Sequence, residues 1–323
     1  MASVASLAVV AGVSAPAVVA PAAAVGPARG ACEWTPDVLP LPDGAFHGRV
    51  TAGAGEWLAG VAGADGPNQA VRWHDGEVEP LGPAFGVDTA VAAVNREGVV
   101  VGTATSPDGT QHAFRHRGGR YERLPGSGGS STALDVNARG EVVGQVDGRL
   151  VVWPAAGPPR FLDLPAAEAP YGRAAIDDDG MVAARTGRVA AGALRWRGHA
   201  WTPAGTRVSL IAGDVQDLWR GQVVGATGEP DGVTRAAGWR ADRVPRLFLG
   251  GTTAVAVNDE GVVAGAGENG EPLLWDGALP TPLPTPPGHT RGTVAALNTE
   301  EAGGSAYPAD GDVGAMPVRW RCR

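Results

Sequence analysis

The densest cluster of acidic side chains is the Asp-Asp-Asp-Gly segment at residues 177–180, and such a cluster raises the question of a calcium site. Calcium loops place their carboxylates at alternating positions before a glycine bend, whereas these three are contiguous. Asp177 stands where a related segment, residues 95–98, has an asparagine. An Asn or Asp three residues before a glycine is typical of a tight turn, because its side chain bonds nearby backbone amides. We therefore interpret this cluster, and the similarly placed Asp259-Glu260 pair, as turn residues.

The remaining residue types that carry chemistry show no local motif. The six histidines are His47, His74, His112, His116, His199 and His289. Only His112 and His116 have a zinc-ligand spacing, and we interpret His116 as a ring that replaces a packing Trp. The nucleophile elbow Gly-x-Ser-x-Gly does not occur. The glycine-rich residues 126–129 lack the lysine and the following helix of a phosphate-binding loop. The sequence thus predicts no catalytic residue, no metal site and no cofactor.

Three segments, residues 90–102, 132–144 and 254–265, are variants of one short unit. Each has a run rich in Ala and Val, an Asn-x-x-Gly turn and a Val-Val-Gly-like run. An Asx-Gly pair, a segment ending in Trp and a run closing in Leu typically come next in the unit. Short apolar runs bounded by such turns predict strands, and Asx-Gly between strands is typical of hairpins. Three turns per unit therefore predict four antiparallel strands.

The unit occurs seven times when it is counted by the residue that ends its third strand. These residues are Trp73, His116, Trp153, Trp196, Trp239, Trp275 and Trp320. Their mean spacing is about 41 residues, the size of a propeller blade. Sheets packed in a ring bury the faces that a lone sheet would expose. The sequence predicts an all-β fold, a seven-bladed β-propeller of four-stranded antiparallel sheets.

The two ends of the chain each carry part of a unit. The last unit stops after its third strand, and the segment 32–42 resembles a fourth strand without the first three. We predict that residues ~37–41 complete the last blade and close the ring. Cys32 and Cys322 flank this junction, and in an exported protein such a pair predicts a disulfide. The alternative is that Cys32 is a lipidated N-terminus.

Residues 1–31 differ from the rest and predict a signal peptide with a short leader. Residues 6–20 are apolar and small, and residues 20–24 offer the small side chains after which signal peptidases cleave. Prolines interrupt this run, and no later run approaches ~18 apolar residues, so we expect no membrane span. We expect a secreted, extracellular protein whose residues 32–323 form a single propeller domain.

The formal net charge of −8, with no lysine in the sequence, does not fit a nucleic-acid partner. A mildly acidic surface is what an ordinary soluble protein has. We therefore expect a monomer whose partner is an unknown extracellular ligand or protein.

On these residues the chain resembles the bacterial extracellular repeat family that is named for its His-Ala-Phe tripeptide. The tripeptide lies at residues 112–114, and "VNREGVVVG" precedes it as in that family's repeat. The similarity runs through most of residues 38–320, with good copies at 90–124, 132–164 and 254–283. The resemblance implies secretion and an all-β repeat fold, and it brings no catalytic residues with it.

We predict a binding or scaffold role without catalytic machinery. Loops carry function on rigid repeat scaffolds, and those between the fourth strand of one blade and the first strand of the next line one channel mouth. Our candidate binding residues near these loops are His47, Asp88, Arg173, Asp214 and Arg291. The alternative is an extracellular lyase or hydrolase with a site in the central funnel. An enzyme would require ionisable side chains of several blades to converge there, whereas a scaffold would have a channel lined by Ala, Val, Thr and Gly.

Overall fold

Seven four-stranded antiparallel sheets make up the computed structural model of this protein, which confirms the predicted seven-bladed propeller. The structure describes residues 33–126, 128–190, 193–203, 205–209, 213–228, 233–240, 244–277, 279–299, 301–308 and 314–323. These residues contain no helix, and therefore none long and apolar enough to cross a membrane. Glu33–Arg323 is one compact unit.

The first strand, β1 (Trp34–Val38), precedes six blades that are each built from consecutive strands. Blades 1 to 3 are formed by β2 (His47–Ala54), β3 (Trp57–Gly63), β4 (Gln69–His74), β5 (Glu77–Pro80); β6 (Asp88–Val94), β7 (Val100–Thr105), β8 (Gln111–Arg117), β9 (Arg120–Arg123); and β10 (Ser131–Val136), β11 (Val142–Val146), β12 (Arg149–Trp153), β13 (Arg160–Phe161). Blades 4 to 6 are formed by β14 (Ala169–Ile176), β15 (Val182–Ala190), β16 (Ala193–Trp201), β17 (Arg207–Ser209); β18 (Asp217–Trp219), β19 (Gln222–Gly228), β20 (Thr234–Trp239), β21 (Arg246–Leu247); and β22 (Gly251–Val257), β23 (Val263–Gly267), β24 (Pro272–Trp275), β25 (Pro280–Pro282). Blade 7 contains β26 (His289–Leu297), β27 (Glu301–Pro308) and β28 (Met316–Cys322), and β1 is its fourth strand.

The ring is closed by the two ends of the chain. β1 pairs antiparallel with β28, with Trp34 opposite Cys322 and Val38 opposite Val318. Just beyond the strands, Glu33 and Arg323 exchange two backbone hydrogen bonds of 3.1 Å. The sequence predicts this closure.

The closing strand lies a few residues earlier in the chain than the predicted 37–41. Pairing ends at Val38, and the N–H of Leu39 still donates to the carbonyl of Pro317 (2.8 Å). The next residues include Pro40 and Pro42, which have no N–H to donate to a neighbouring strand. The Leu-Pro pattern of the other units therefore marks the end of the fourth strand rather than its centre.

The turn between the first and second strands of a blade is held by its Asn or Asp. In blade 2, Asn95 Oδ1 accepts hydrogen bonds from the N–H groups of Glu97 (3.1 Å) and Val99 (2.9 Å). Gly98 has φ of +73°, a conformation that glycine adopts without strain. The same two bonds recur at Asn137, Asp177 and Asn258. The acidic cluster at 177–180 is therefore a turn, as predicted.

The same side chains also fasten neighbouring blades to each other. Asn95 Nδ2 donates to the carbonyl of Asn137 (2.9 Å), and Asn137 Nδ2 donates to the carbonyl of Asp177 (3.0 Å). Asp177 has a carboxylate where the others have an amide, and it accepts a bond from the N–H of Gly221 in blade 5 (3.1 Å). Burial raises the pKa of Asp177. The Asn-x-x-Gly pattern of the repeat thus specifies turns and contacts between blades, not chemistry.

Seven hydrophobic clusters fill the seven seams of the ring, and each combines side chains of two adjacent blades. The largest side chains in them are Trp73, Trp153, Trp201, Trp239, Trp275 and Trp320. In blade 1, the indole N–H of Trp73 donates to the carbonyl of Pro40, which follows β1 of blade 7 (2.8 Å). In blade 3, Trp153 does the same to Pro125 of blade 2 (2.7 Å). Such tryptophans join adjacent sheets both by burial and by a hydrogen bond.

Blades 2 and 4 differ from the simple pattern. In blade 2, His116 replaces the tryptophan as a buried ring with 1% of its surface exposed. In blade 4 the prediction that Trp196 is the packing residue is wrong, because Trp196 is 53% exposed and Trp201 is buried instead. Register explains the difference: Trp201 lies opposite Val182, just as Trp153 lies opposite Val142.

Candidate functional site in the central channel

A cavity of about 270 Å³ lies in the central channel. All seven blades line it with the ends of their first strands and the adjoining turns, so we call this end of the channel the turn mouth. The lining is mostly aliphatic and falls within residues 51–55, 92–96, 134–138, 173–178, 216–219, 255–259 and 295–299. Against this apolar background, a few charged side chains stand out.

Two of these charged side chains occupy one repeated position of the inner strands. The position lies opposite the second residue of the Val-Val-Gly-like run and is filled by Ala52, Ala93, Asp135, Ala175, Asp217, Ala256 and Ala296. Five blades thus carry alanine, and blades 3 and 5 carry aspartate. The local sequence pattern of a strand does not require aspartate in place of alanine, so the two carboxylates need a separate explanation.

Each carboxylate joins its own blade to the next one. Asp135 Oδ1 accepts a bond from its neighbour Val136 (2.8 Å), and Oδ2 accepts one from the N–H of Ile176 in blade 4 (2.8 Å). Asp217 likewise accepts bonds from Leu218 (2.7 Å) and from Val257 in blade 6 (2.8 Å). Inner strands are sheet edges, so their unpaired N–H groups are available to such acceptors. Both carboxylates therefore have a structural role in the ring.

The surroundings of the two carboxylates raise their pKa values. Burial is the largest cause for Asp135, followed by the negative charge of Asp217, and together they raise its pKa to about 8. Burial likewise raises the pKa of Asp217. The positive charge of Arg173 acts in the opposite direction on both groups, as do their backbone hydrogen bonds. At neutral pH, Asp135 is thus a mostly protonated acid beside a second carboxyl and a guanidinium.

Arg173 reaches the channel because the first strand of blade 4 is interrupted. In β14, Pro170 pairs with Thr186 and Ala174 pairs with Ala184, so residues 171–173 all stand opposite Arg185. Bulges of this kind redirect side chains, and they are frequent beside functional sites. Arg173 lines the cavity together with Ala174. Among our five candidates, it is the one in the cavity lining.

At the turn mouth, a second charged group spans the channel. Arg96 of blade 2 pairs with Asp178 of blade 4, with 2.5 Å between Nη2 and Oδ2, and thereby passes over blade 3. The guanidinium carbon of Arg96 also lies 5.5 Å from the ring centre of Trp219 in blade 5. Within the described residues, Trp219 Nε1 is buried and has no hydrogen-bond partner. The bridge thus lies at the mouth of the channel, next to an indole whose N–H is buried without a partner in the described part of the chain.

The other four candidate residues do not line the cavity. His47 Nε2 lies 3.1 Å from the carbonyl of Ala64, and Asp88 accepts a bond from the N–H of Asn68 (3.2 Å). Arg291 lies over the ring of Tyr307. These three are at the starts of first strands, away from the turn mouth.

Asp214 is the fourth, and it is connected to the cavity through one neighbour. Its Oδ2 accepts bonds from Arg185 (3.0 Å) and from Gln216 (2.9 Å), and Gln216 lines the cavity. The structure therefore groups Arg173 with two aspartates, Asp135 and Asp217, that sequence reasoning missed. The available signal was an Asp in a strand position where most units have Ala.

A second buried polar cluster lies in blade 4 and does not face the cavity. His199 Nε2 lies 2.8 Å from Glu168 Oε2, which also accepts a bond from the hydroxyl of Thr186 (2.5 Å). Hydrogen bonds from Thr186 and His199 hold the pKa of Glu168 below its usual range, although burial opposes them. In the part of the chain that the structure describes, no group of three or more His, Cys, Asp or Glu side chains could hold a metal ion.

Titration of Asp135 gives a prediction for stability. A carboxyl with a pKa of about 8 in the folded state and 3.8 as its ordinary value binds a proton only in the folded chain between these pH values. Unfolding then releases that proton, so stability falls as pH rises through this window, by roughly 1.4 kcal/mol per pKa unit at most. Because Asp135 is partly accessible from the channel, we expect the free energy of unfolding to fall by a few kcal/mol across this window.

The test is chemical denaturation of the wild type and of Asp135→Asn between pH 4 and pH 9. We expect the free energy of unfolding to decline more steeply with pH in the wild type, because the variant lacks the titrating group. In Asp217→Asn, the decline should level off at a lower pH and be smaller in total, because the charge that helps raise the pKa of Asp135 is removed. Parallel profiles for the wild type and Asp135→Asn would contradict this assignment.

Comparison with known proteins confirms the fold and leaves the family open. No protein-family model and no curated protein matches this sequence. Among solved structures, the chain is similar to virginiamycin B lyase from Staphylococcus aureus (TM-score 0.55, 10% identity, 89% of this chain and 99% of that chain). It is also similar to YCF48 bound to D1 peptide (TM-score 0.52, 12% identity, 90% and 94%) and to the WD40 domain of Toxoplasma gondii coronin (TM-score 0.51, 10% identity, 90% and 87%). At such identities the likeness concerns the fold alone: the chain is a β-propeller.

Proposed function

We propose that this protein is an exported, monomeric β-propeller that acts as a binding scaffold and has no catalytic role. The observation that carries the proposal is the bonding of the channel carboxylates. Each oxygen of Asp135 and of Asp217 already accepts a backbone N–H, and each pair of bonds links two blades. Carboxyl groups that are bonded in this way hold adjacent blades together, a structural role that requires no substrate.

The residues of the repeat support the same proposal. Its asparagines and tryptophans hold turns and seams, so the repeat itself supplies rigidity. Ligands of rigid repeat scaffolds meet residues that vary between the units. YCF48, a propeller of similar fold, has been seen with a bound D1 peptide, so peptide binding is within the capacity of this architecture.

Three features support export: the leader, the cysteines near the chain ends, and the resemblance to the secreted His-Ala-Phe repeat family. Residues 1–31 have the composition of a signal peptide, and Cys32 lies outside the described residues. Its neighbour Glu33 is hydrogen bonded to Arg323, and Cys322 is not a free thiol. We propose that Cys32 and Cys322 form a disulfide that fastens the closing strand. This disulfide would close a loop that spans residues 32–322. The loss of chain entropy in the unfolded state would then stabilise the fold by about 5–6 kcal/mol at most.

Expression of the full chain in an exporting bacterial host tests this proposal. We expect the protein in the culture medium, with an N-terminus after the leader. Its intact mass should be two hydrogen atoms below that of the reduced chain, and Cys32 and Cys322 should occur in one cross-linked peptide. Retention in the cytoplasm with the leader intact would refute export. A lipid on Cys32 would instead support the alternative of an anchored protein.

One observation favours a second candidate function, an extracellular lyase or hydrolase. A carboxylic acid that remains protonated at neutral pH can donate a proton to a substrate, and Asp135 has that property beside Asp217 and Arg173. This candidate requires an activity on glycans or lactones that Asp135→Asn abolishes at pH 5, a pH at which the fold retains its stability. Absence of any such activity in the wild-type protein favours the scaffold.

A further inference from the structure

Blade 4 carries a longer hairpin than its neighbour. β15 and β16 pair over nine positions, from Val182 opposite Trp201 to Ala190 opposite Ala193. The corresponding strands of blade 3 pair over five positions, from Val142 opposite Trp153 onward. Four further pairs at about 3.3 Å per residue extend the hairpin by roughly 13 Å. This extension is unnecessary for packing the seam, because the buried Trp201 lies at the other end of the hairpin.

The hairpin is basic, although the protein as a whole is acidic. Residues 182–201 contain four arginines, at positions 185, 188, 195 and 197, and no Asp or Glu, in a chain with a net charge of −8. Arg185 is paired with Asp214 at 3.0 Å. Arg188 and Arg197 are exposed. The hairpin therefore presents positive charge to the solvent.

Exposed apolar side chains accompany these charges. Val189 is 76% exposed, Trp196 is 53% exposed and Tyr171 is 45% exposed. The rings of Tyr171 and Trp196 are stacked, with centres 6.5 Å apart and planes inclined by 17°. Tyr, Trp and Arg are the side chains most enriched in protein interfaces. Large aromatic rings with this much exposure are therefore typical of a binding surface.

The aromatic pair is held in place by the bulge in β14 that also directs Arg173 into the channel. Arg185 Nε donates to the carbonyl of Tyr171 (2.9 Å), and its guanidinium carbon lies 5.1 Å from the Tyr171 ring and 5.9 Å from the Trp196 ring. Gly172 has φ of +77°, which allows the chain to turn between these side chains. Because Arg185 is in turn fixed by Asp214, the surface is organised before any partner arrives.

The hairpin also has strand edges whose backbone N–H and C=O groups could bond to a partner. β17 pairs with β16 only over His199–Trp201, and β14 pairs with β15 only as far as Gly187. Among the described residues, the strand segments beyond these points have no neighbour on their outer edges. Such an edge is a template on which an extended peptide can add as a further strand.

We propose that the blade 4 platform, defined as Tyr171, Arg188, Val189, Trp196 and Arg197, binds an extended acidic peptide segment of another protein. The proposal rests on the scaffold function above and names its class of partner. Acidic side chains of the peptide would pair with Arg188 and Arg197, and alternate apolar side chains would cover Trp196 and Val189. An acidic glycan shares the charge, but it has no backbone N–H and C=O ladder for the strand edge.

Fluorescence anisotropy on the purified full-length ring tests the proposal with three labelled ten-residue peptides. Alternating Glu-Val is the probe, alternating Lys-Val reverses its charge, and alternating Glu-Pro keeps the charge but lacks every second N–H. We expect Glu-Val to bind and Lys-Val not to bind, and we expect Glu-Pro to bind at least tenfold more weakly. Trp196→Ala and the double variant Arg188→Glu, Arg197→Glu should each weaken Glu-Val binding at least tenfold.

Matched controls replace residues of the same types elsewhere on the surface. Phe161→Ala in blade 3 and Arg120→Glu in blade 2 alter exposed side chains and should leave the affinity within twofold. Equal binding of Glu-Val and Glu-Pro, or binding of sodium polygalacturonate without binding of Glu-Val, would overturn the proposal. Because export and disulfide formation are measured separately, failure of peptide binding alone would leave the scaffold function standing.

Discussion

Trp201→Ala is expected to lower the free energy of unfolding by about 3–5 kcal/mol, whereas Trp196→Ala is expected to change it by less than about 1 kcal/mol. Trp201 fills the seam between blades 3 and 4, where it packs among Leu150, Leu162 and Ile176. Its indole N–H donates to the carbonyl of Asp163 (3.2 Å), and that partner would be lost as well. Truncation leaves a cavity in a packed seam, and the surrounding sheets can relax only partly.

The two tryptophans make a matched pair because they lie on the same strand and differ in burial. Trp201 is 2% exposed and Trp196 is 53% exposed. Urea denaturation of both variants, followed by circular dichroism, gives the two free energies under the same conditions. Similar losses for both variants, or a larger loss for Trp196→Ala, would show that the seam of blade 4 is not built around Trp201. Trp196→Ala is also used in the peptide-binding experiment. Its measured stability therefore shows whether a loss of binding occurs in a folded protein.

The hydrogen-bonded amides of the closing strand are expected to exchange with solvent only through global unfolding. A free N-terminal segment would open at almost no cost, whereas the core of a domain opens at about 5–15 kcal/mol. In this ring, β1 is not a free segment, because it is the outer strand of blade 7 and pairs along its length with β28. Leu39, directly after it, is 2% exposed and packs against Trp73 and Val50 of blade 1. Opening β1 would therefore disturb two blades at once.

Much of the fold is predictable from the sequence because turn chemistry recurs at a fixed spacing. Glycines with positive φ at 98, 140, 180 and 261 stand where the Asn-x-x-Gly pattern places them. The Asp147-Gly148 pair has φ of +47° and +72°, as a tight hairpin of this kind requires. The number of blades, the number of strands and closure by the chain ends all result from these local rules.

The choice between Trp196 and Trp201 shows where spacing alone is insufficient. Trp196 fits the mean period of about 41 residues, but the long hairpin of blade 4 shifts the packing position along the chain. Residues five apart on a strand point to opposite faces, so only one of the two can enter the seam. Trp201 is identified by its pairing with Val182. That pairing depends on the length of the hairpin, which the mean period of the repeat does not reveal.

The channel site is harder to predict because its residues are far apart in the chain. The position of Arg173 near a loop predicts a binding role, yet its side chain reaches the cavity through a bulge that no local pattern signals. Asp135 and Asp217 are in strands that read as ordinary apolar runs, and only closure of the ring brings both into one channel. The electrostatic coupling of these carboxyl groups is a property of the assembled ring rather than of any single unit.

Hydrogen–deuterium exchange of the intact chain, read by mass spectrometry, tests the closed ring most directly. In the peptide covering residues 33–39, the amides that face β28 should exchange as slowly as the hydrogen-bonded amides of the peptide covering 316–323, and both sets should follow the global unfolding rate as denaturant is added. Full exchange of residues 33–39 within seconds, with residues 316–323 still protected, would show that the head of the chain does not complete the last blade.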